Sequence, residues 1–314
     1  MLAASASLLN IQVVILDVGE RSPAKQVFTP LSQALSHIDG SFANPEKIME
    51  LAAKVDVLTV EIEHVDVATL EELQRKARPT SLLIHPDPST IGIIQDKYRQ
   101  KQYLAERGCP VSEFLAVEST LDSVRTAVQK LGLPTMLKSR TLAYDGRGNY
   151  AVRELRDVEQ ALSTLRDRPL YAEKWVPFVK EIAVMVVRTT DGDVQSYPAV
   201  ETVHKDNICH LVFAPLRWQD ATLGYRARTI AEAAVKSFQG AGVFGVEMFL
   251  TETGQSSSSK GDVDEVDNIQ VVSTSTKSLL VLITPVITPS RPAKPHSMKI
   301  TCVPYCHCLL DRLR

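Results

Sequence analysis

LKSRTLAYDGRGNY, from Leu137 to Tyr150, is the most informative stretch in this chain of 314 residues. An apolar strand pattern ends at Lys138 and runs into a polar loop that contains Gly146 and Gly148. Glycine lets backbone amides approach phosphate oxygens closely, and a lysine at a strand end supplies a positive charge for the same group. The stretch therefore predicts a phosphate-binding loop, with an ordinary hairpin turn beside an edge lysine as the alternative interpretation.

Two further predicted strands carry acids in positions that suit a nucleotide. The strand EKWV (173–176) offers alternating polar groups and a backbone edge, and Glu181 follows five residues later, which suits an adenine base and ribose hydroxyls. A solvated strand with alternating charge is the alternative. In the apolar strand GVFGVEMFL, Glu247 points away from Val246 and Met248. We expect this carboxylate to face a cleft, where metal binding and simple solvent exposure are both open.

The composition of the chain limits its partners and its compartment. It has 35 basic and 37 acidic residues, a net charge of -2 and 44% apolar residues. It can therefore bury a large core, and it gives no electrostatic reason to expect a nucleic acid or a membrane surface as partner. No apolar run approaches the roughly 20 residues that cross a bilayer. Five cysteines are too few for a disulfide scaffold, which favours a reducing, cytoplasmic location.

The first 95 residues alternate strand and helix patterns, which predicts an open α/β unit with a parallel sheet. Its predicted elements are strands over 11–17, 55–63 and 81–85 and helices over 44–54 and 66–76. Asn44 is suited to cap the first of these helices, with Pro45 in its first turn. A single helix is predicted over 93–108, ending at Gly108.

Beyond this helix the pattern changes twice. Residues 113–254 alternate strands with helices in a way that predicts a mostly antiparallel region, and an amphipathic helix is predicted over 221–238. Residues 255–314 are rich in Ser, Thr and Pro, so we expect this tail to be poorly ordered. Thiol and imidazole groups near its end offer an alternative zinc site, although with no standard spacing: Cys302, Cys306, His307 and Cys308, with His296 nearby.

Five stretches of this sequence resemble one enzyme family closely. They are VEIEHVD (60–66), HPDPSTIGIIQDKYRQKQYL (85–104), LKSRTLAYDGRGNY (137–150), YAEKWVPFVKEIAVMVVR (171–188) and YPAVETVHKDNICHLVFAP (197–215). The order of lysine, glycine loop, acidic strand and late glutamate resembles the ATP-grasp superfamily. The motifs are most similar to its 5-(carboxyamino)imidazole ribonucleotide synthase family, in the form found in fungal phosphoribosylaminoimidazole carboxylases. The resemblance covers about residues 10–254.

The resemblance implies a fold with two parts. An α/β preATP-grasp domain over residues 1–95 would be followed by an ATP-grasp domain over 96–254, in which two α+β lobes hold ATP between antiparallel sheets. The small lobe would span about 113–175, and the large lobe would begin at 176. ATP and Mg²⁺ are the cofactors that the resemblance implies.

For the nucleotide, the resemblance implies contacts along these predicted strands. The implied ATP-binding residues are Lys97, Lys138, Gly146, Gly148, Glu173, Lys174, Val176 and Glu181. The two lysines Lys97 and Lys138 would contact phosphates. The strand from Glu173 would read the adenine, partly through its backbone, and Glu181 would hold the ribose. Glu247 would be a magnesium ligand.

The implied substrates are 5-aminoimidazole ribonucleotide and bicarbonate, in a step of de novo purine biosynthesis. ATP would phosphorylate bicarbonate to carboxyphosphate, because hydroxide is a poor leaving group, and carbon dioxide would be released beside the amino group of the ribonucleotide. The implied substrate contacts are Glu61, Glu63, Tyr144, Asp145 and Arg147. Asp145 and Arg147 would be the catalytic residues, with Asp145 handling the proton. A homodimer is an assembly that the resemblance leaves open.

The sequence departs from the family pattern at both ends of the resemblance. The family begins with a strand and a turn of the form GGGQLGRM, whereas this chain begins MLAASASLLN. The family follows the GVE strand with NEIAPRPHNSGH, whereas this chain reads TETGQSSSSKGDVDEVD. That second motif would complete the metal site, so we expect a truncated member with weak Mg²⁺ binding and slow phosphoryl transfer. The alternatives are a non-catalytic ATP-binding protein and an ATP-grasp ligase for another acceptor.

Overall fold

Helices and strands occur in nearly the order that the sequence patterns predict, with shorter bounds for several strands. The computed structural model of the chain describes residues 6, 9–27, 29–30, 32–76, 82–142, 148–166, 168–205, 208–220, 222–251 and 269–271. In these residues the helices are α1 (Pro23–Val27), α2 (Pro45–Ala52), α3 (Val67–Lys76), α4 (Pro88–Gln95), α5 (Lys97–Ala105), α6 (Leu121–Leu131), α7 (Asp157–Thr164) and α8 (Thr222–Ser237), with a short 3-10 helix at Gln33–Leu35. The strands are β1 (Leu16–Asp17), β2 (Ile38–Asp39), β3 (Val57–Thr59), β4 (Leu83–His85), β5 (Phe114–Val117), β6 (Thr135–Ser139), β7 (Asn149–Val152), β8 (Leu170–Lys174), β9 (Phe178–Arg188), β10 (Val194–Ser196), β11 (Val200–Lys205), β12 (Ile208–Phe213), β13 (Gly242–Thr251) and β14 (Ile269–Val271).

The N-terminal unit is built from two parallel strand pairs and the helices beside them. β1 pairs with β2 and β3 pairs with β4, each in parallel register, as predicted for an α/β unit. The Asn44 side chain caps α2 by accepting hydrogen bonds from the backbone N–H groups of Glu46 (2.9 Å) and Lys47 (3.3 Å). The unit closes over a small apolar core, whose buried members are Ile48, Leu58, Val60, Leu70, Ile84 and Ile91.

The first predicted strand is shorter than its apolar pattern. The pattern runs over 11–17, but the described strand comprises only Leu16–Asp17. The N–H of Ile15 donates to Nδ1 of His37 (3.2 Å) instead of to a neighbouring strand. A side chain thus replaces the strand partner just before the ladder begins.

The strand predicted over 55–63 is also shorter, because it ends at Thr59. Beyond that point the Gln95 side-chain amide donates to the backbone carbonyls of Glu63 and Val65. Gln95 is the last residue of α4, so these bonds turn the chain toward that helix. The turn carries the predicted acid Glu63 away from the β3–β4 strand pair.

The prediction of one helix over 93–108 is wrong, because the chain forms α4 and α5, which meet at Asp96. Asp96 has an extended backbone (φ -105°, ψ 105°), and its side chain accepts a hydrogen bond from the N–H of Arg99 (3.0 Å). It is therefore the N-cap of a new helix. Lys97 becomes the first residue of α5.

Strands β5, β6, β7 and β8 form a four-stranded antiparallel sheet, here called the small sheet, in the order β5-β8-β6-β7, with α6 and α7 on one face. α6 begins at the capping residue Thr120, whose hydroxyl accepts from the N–H of Ser123 (3.3 Å), and it ends at Gly132 with φ +82°. The helices and the sheet share a core, whose fully inaccessible members are Val124, Leu137, Val152, Val158, Ala161 and Ala172.

A larger antiparallel sheet follows, with the order β12-β11-β9-β13-β14 and β10 paired to β9 in the described residues. β13 pairs with β9 along nearly its whole length, so that Val246 lies opposite Val184 and Met248 lies opposite Ile182. These four side chains are buried against α8, whose inward residues include Leu223, Ala227, Ala231 and Ala234. One face of the sheet is thus filled by the helix, and the other face is left for the site.

A short part of the segment predicted to be a poorly ordered tail belongs to this sheet. β14 pairs antiparallel with β13, with Ile269 opposite Leu250 and Val271 opposite Met248. The N–H of Val271 also donates to the carbonyl of Pro110 (2.6 Å). Ile269 and Val271 are 1% and 4% exposed, so the pairing buries apolar surface that the linker-like composition did not reveal.

α4 connects the N-terminal unit to the large sheet. The Thr90 hydroxyl donates to the carbonyl of Gln239 (2.9 Å), and the N–H of Gln239 donates back to that hydroxyl (2.9 Å). Gly240 has φ +79°, and a Cβ at this position would lie 2.3 Å from the backbone nitrogen of Asp87. Only glycine fits this approach.

The architecture agrees with the fold class expected from the sequence, which is an α/β unit followed by two antiparallel sheets with helices. None of the helices in the described part of the chain is both long enough and apolar enough to cross a membrane.

Candidate active site

The two lysines expected to bind phosphate are held together by backbone and side-chain bonds. Lys97 begins α5 and Lys138 lies near the end of β6. The N–H of Lys97 donates to the carbonyl of Arg140 (2.8 Å), two residues beyond Lys138. The Arg140 guanidinium also binds the carboxylate of Asp96, with its Nε 3.0 Å from both oxygens. The start of α5 and the end of β6 are therefore fixed to each other.

Lys97 lies among three other predicted site residues. Its side chain is 4% exposed, and its Nζ is 3.5 Å from Oε1 of Glu63, which is equally buried. Burial lowers the pKa of Lys97, whereas the charges of Glu63 and Glu247 favour its protonated form and Lys138 opposes it. The structure thus brings Glu63, Lys97, Lys138 and Glu247 into one electrostatic cluster.

Glu173, expected on the adenine-binding strand, points its carboxylate inward to a second, buried network. Oε2 lies 2.8 Å from Nζ of Lys138, and Oε1 lies 3.0 Å from Nζ of Lys101. The Ser112 hydroxyl donates to the same Oε1 (2.5 Å) and accepts from Lys101 (2.7 Å). Burial opposes the negative charge, but the two lysines and the hydrogen bonds lower the pKa of Glu173 to about 2.

The open face of the large sheet carries the acids expected for ribose and metal. Glu247 lies opposite Ala183 in the register of β13 and β9, and Glu181 is two residues from Ala183 on the same strand. Side chains two residues apart on a strand share a face. Both carboxylates therefore lie on the face of the large sheet that α8 does not cover. Oε2 of Glu181 is 2.5 Å from Nδ1 of His204 on β11.

Three of the predicted residues are not drawn into these contacts. The Lys174 ammonium is 2.5 Å from the Glu113 carboxylate, in an ion pair whose members are 49% and 64% exposed. Val176 is half-buried in the link between β8 and β9, where its backbone has no strand partner of its own. Glu61 is exposed, in contrast to the buried Glu63.

The described part of the glycine loop is its base. Gly148 has φ +101°, and its carbonyl accepts from the N–H of Ser139 (2.7 Å). The Ser139 hydroxyl donates to the carbonyl of Thr141 (2.8 Å), so the chain leaves β6 and returns to β7 across a closed neck. The other predicted loop residues lie outside the described residues: Tyr144, Asp145, Gly146 and Arg147.

The side chains of the described residues do not supply a ligand set for a magnesium ion. No group of three or more His, Cys, Asp or Glu side chains that would hold a metal occurs in the described ranges. Glu247 lies near the positive charge of Lys97, and β14 beside its strand comprises Ile269, Gln270 and Val271, without an acid. Mg²⁺ prefers carboxylate and water oxygens in octahedral geometry, which a single carboxylate does not define. The predicted zinc residues of the tail lie outside the described residues.

Three polar residues at this site escaped the sequence interpretation: Lys101, Ser112 and His204. For Lys101 a signal was present, because it follows Lys97 by four residues and therefore shares its helix face. α5 buries Lys97, Gln100, Lys101 and Leu104, which are the positions that an amphipathic helix usually fills with apolar side chains.

Comparison with protein families agrees with this division of the chain. The model of the ribonucleotide synthetase preATP-grasp domain matches residues 1–95, and the model of the ATP-grasp domain matches residues 102–257. The two matches meet near Asp96, at the break between α4 and α5.

The chain is also similar to individual proteins of known type. It is 55% identical over 255 residues to phosphoribosylaminoimidazole carboxylase of Ogataea methanolica, a match that covers 81% of this chain and 45% of that protein. A solved structure of carboxyaminoimidazole ribonucleotide synthase from Aspergillus clavatus with ATP has a TM-score of 0.76 and 44% identity, covering 86% of this chain and 65% of that one. A structure of the Aspergillus clavatus synthase with ADP and 5-aminoimidazole ribonucleotide has a TM-score of 0.74 and 43% identity, covering 87% and 65%. The chain thus spans less than half the length of the carboxylase.

Proposed function

Because this chain belongs to the ATP-grasp family, with a ribonucleotide synthetase preATP-grasp domain ahead of its ATP-grasp domain, we propose that it binds ATP for the carboxylation of 5-aminoimidazole ribonucleotide. Bicarbonate would be the source of the carboxyl group. Activation of bicarbonate by phosphorylation gives carboxyphosphate, whose leaving group is phosphate instead of hydroxide. The proposal concerns a step of de novo purine biosynthesis.

One observation carries this proposal, namely the meeting of Glu63, Lys97, Lys138 and Glu247. These residues come from the N-terminal unit, α5, the small sheet and the large sheet, and the other three all act on the buried ammonium group of Lys97. A polyanion placed there would be attracted by two lysines whose backbones are tied to each other through Arg140. Attraction between fixed charges in a partly dry site is stronger than in water.

Each part of the nucleotide has a matching group in this proposal. Lys97 and Lys138 bind the phosphates, since each offers an ammonium group. Glu181 accepts hydrogen bonds from the ribose hydroxyls on the open face of the large sheet. The adenine base meets the chain between Lys174 and Val176, where β8 ends and backbone groups leave the sheet.

The ribonucleotide is the proposed acceptor because a similar protein, the Aspergillus clavatus synthase, has been solved with it and ADP. Glu63 is the proposed contact in this chain, because it is buried beside Lys97 at the end of the N-terminal unit. Glu61 is a second proposed contact that faces solvent. Asp145, Arg147 and Tyr144 of the glycine loop are further proposed contacts.

Mg²⁺ is the metal that the family implies, and the described side chains do not supply its ligand set. We propose that this chain retains nucleotide binding and transfers the phosphoryl group slowly.

The test measures binding and turnover separately on the full chain. We expect ADP and ATP to bind, as followed by calorimetry, and Lys138→Met to weaken both. We expect ADP release that depends on the ribonucleotide and bicarbonate to be well below the rate of about 1 per second that is ordinary for enzymes. A chain that binds neither nucleotide would refute the function, and a rate of 1 per second or more would refute the impairment.

A second function is favoured because, among the described residues, Glu247 is the only one that the resemblance assigns to the metal. A chain that binds ATP without turnover would act as a nucleotide-binding protein. Measured ATP affinity with no ADP release, even after excess Mg²⁺ is added, would support this function over slow catalysis.

The cytoplasm is the compartment that we propose, because Cys109 and Cys209 both carry free thiols, as expected in a reducing environment. A homodimer is the assembly that we propose, and light scattering of the purified chain would test it. A monomeric mass at micromolar concentration would contradict that assembly without affecting the proposed nucleotide site.

A further inference from the structure

Lys101 is a fully buried lysine that shares the carboxylate of Glu173 with Lys138, one of the two lysines proposed to bind phosphate. The Lys101 side chain is 0% exposed, and its Nζ is 3.0 Å from Glu173 and 2.7 Å from the Ser112 hydroxyl. Its ammonium also lies 5.7 Å from the centre of the Phe114 ring. Lys101 is shut off from any ligand, so its effect on a bound nucleotide must pass through its neighbours.

Those neighbours lead directly to Lys138. The two oxygens of the Glu173 carboxylate have different partners. Oε1 contacts Lys101 and Ser112, and Oε2 contacts Lys138. The register of β6 and β8 places Met136 opposite Glu173 and Lys138 opposite Tyr171, so Lys138 and Glu173 share one face of the small sheet. The network therefore joins α5 to two strands of the sheet that holds the phosphate-binding lysine.

The charges in this network do not balance. Two lysines share one carboxylate, so the three ionised groups Lys101, Glu173 and Lys138 together carry one net positive charge. If Glu173 had only Lys138 as its partner, the two would form a neutral buried pair, and Lys138 would have to break that pair to meet a phosphate. Because Lys101 also neutralises the Glu173 carboxylate, the positive charge of Lys138 is only partly compensated and can attract a phosphate.

On this geometry, we propose that Lys101, with Ser112, is a positioning residue that acts through Glu173 to hold Lys138 in place and available for phosphate oxygens. The inference rests on the proposed nucleotide-binding function. It deepens that function by assigning phosphate affinity to a residue that never touches the ligand.

The test compares adenosine, which has no phosphate, with ADP, using calorimetry on the full chain. We expect Lys101→Met to bind adenosine as the unmodified chain does and to bind ADP about tenfold more weakly, since a charge-assisted contact is weakened. Lys101→Arg restores a positive charge and should recover most of the ADP affinity. A role in folding alone would weaken both ligands together and would not be rescued selectively.

Ser112→Ala is the second variant, in case Lys101→Met fails to fold. It keeps all charges and removes the hydroxyl that holds Lys101 and Glu173 in line. We expect a selective loss of ADP affinity of about threefold, with adenosine unchanged. Equal affinity for ADP in the unmodified chain and both variants would overturn the inference while leaving the proposed function intact. Failure of the unmodified chain to bind ADP would instead refute the proposed function.

Discussion

Glu173 shows how one side chain can serve both stability and binding. Its buried carboxylate contacts two ammonium groups: Nζ of Lys138 lies 2.8 Å from Oε2 and Nζ of Lys101 lies 3.0 Å from Oε1. Removing the charge would leave two lysines in a dry environment without a counter-charge, which is far costlier than removing an exposed pair. The residue thus stabilises the fold at the point where the proposed site needs positive charge.

We predict that Glu173→Gln lowers the free energy of unfolding by about 3–5 kcal/mol. The measurement is urea or guanidinium unfolding at pH 7. Glu113→Gln is the matched control, because it breaks the exposed pair with Lys174 and should cost no more than about 1 kcal/mol. Equal losses in the two variants would mean that the buried network contributes nothing special.

The same carboxylate gives a pH dependence with a definite sign. The pKa of Glu173 falls from 4.5 to about 2 on folding. Its contribution is therefore fully present above pH 4.5 and is lost as the pH falls toward 2, by roughly 3 kcal/mol in all. We expect the difference in unfolding free energy between the unmodified chain and Glu173→Gln to shrink as the pH falls from about 5 to about 2. A constant difference over that range would contradict the prediction.

The candidate residues were predicted from sequence to different degrees. Lys97 and Lys138 were selected from sequence, and the structure brings them to one cluster. Glu173 was selected as well, but its contact with Lys101 depends on α5 packing behind the small sheet, which no local pattern in the sequence encodes. His204 meets Glu181 only through the pairing of β11 with β9, so its neighbour is likewise a product of tertiary structure.

At the scale of elements, Asp96 has two roles at the break between α4 and α5. It caps α5 through the N–H of Arg99, and it binds the guanidinium of Arg140, which follows β6. Both interactions help to fix the distance between Lys97 and Lys138, because one holds the start of the helix and the other holds the end of the strand. Stability and ligand affinity should therefore fall together when Asp96 is removed.

We predict that Asp96→Ala lowers the free energy of unfolding by about 2–3 kcal/mol and weakens ATP binding about tenfold. Thermal unfolding and calorimetry with ATP measure the two effects. Thr120→Ala is the matched control, because it removes the cap of α6 on the small sheet without touching either lysine. It should cost about 1 kcal/mol and leave ATP affinity unchanged. An Asp96→Ala chain with normal ATP affinity would show that the two lysines need no such tie.

The predicted elements differ from the described ones mainly where side chains interrupt the backbone pattern. Apolar periodicity located the helices at 66–76 and 221–238 to within a residue or two, because their faces are continuous. It missed the break at Asp96, where a capping carboxylate outweighs the helical pattern on either side. It also overextended the strand over 55–63, which ends at Thr59, before the turn whose carbonyls accept hydrogen bonds from Gln95.

At the scale of the whole molecule, one face of the large sheet forms the core and the other face carries candidate site residues. One face is sealed by α8 and forms the largest apolar core among the described residues, and the opposite face presents Glu181 and Glu247. Period-two alternation in the strand GVFGVEMFL predicted this division for Glu247. The position of β14 was not predictable in the same way, because three residues within a polar segment carry too little pattern to assign a strand.

We expect an isoleucine-to-alanine substitution to affect the free energy of unfolding differently on the two edge strands of this sheet. Ile269 on β14 is 1% exposed and belongs to the core under α8, whereas Ile208 on the other edge strand, β12, is 50% exposed. We expect Ile269→Ala to lower the free energy of unfolding by about 2–4 kcal/mol, because it opens a cavity in that core. Ile208→Ala, the matched control, should change it by no more than about 1 kcal/mol. Chemical unfolding of both variants measures the difference. If Ile269→Ala were as harmless as Ile208→Ala, β14 would not be part of the folded sheet in solution, and β13 would be an open edge.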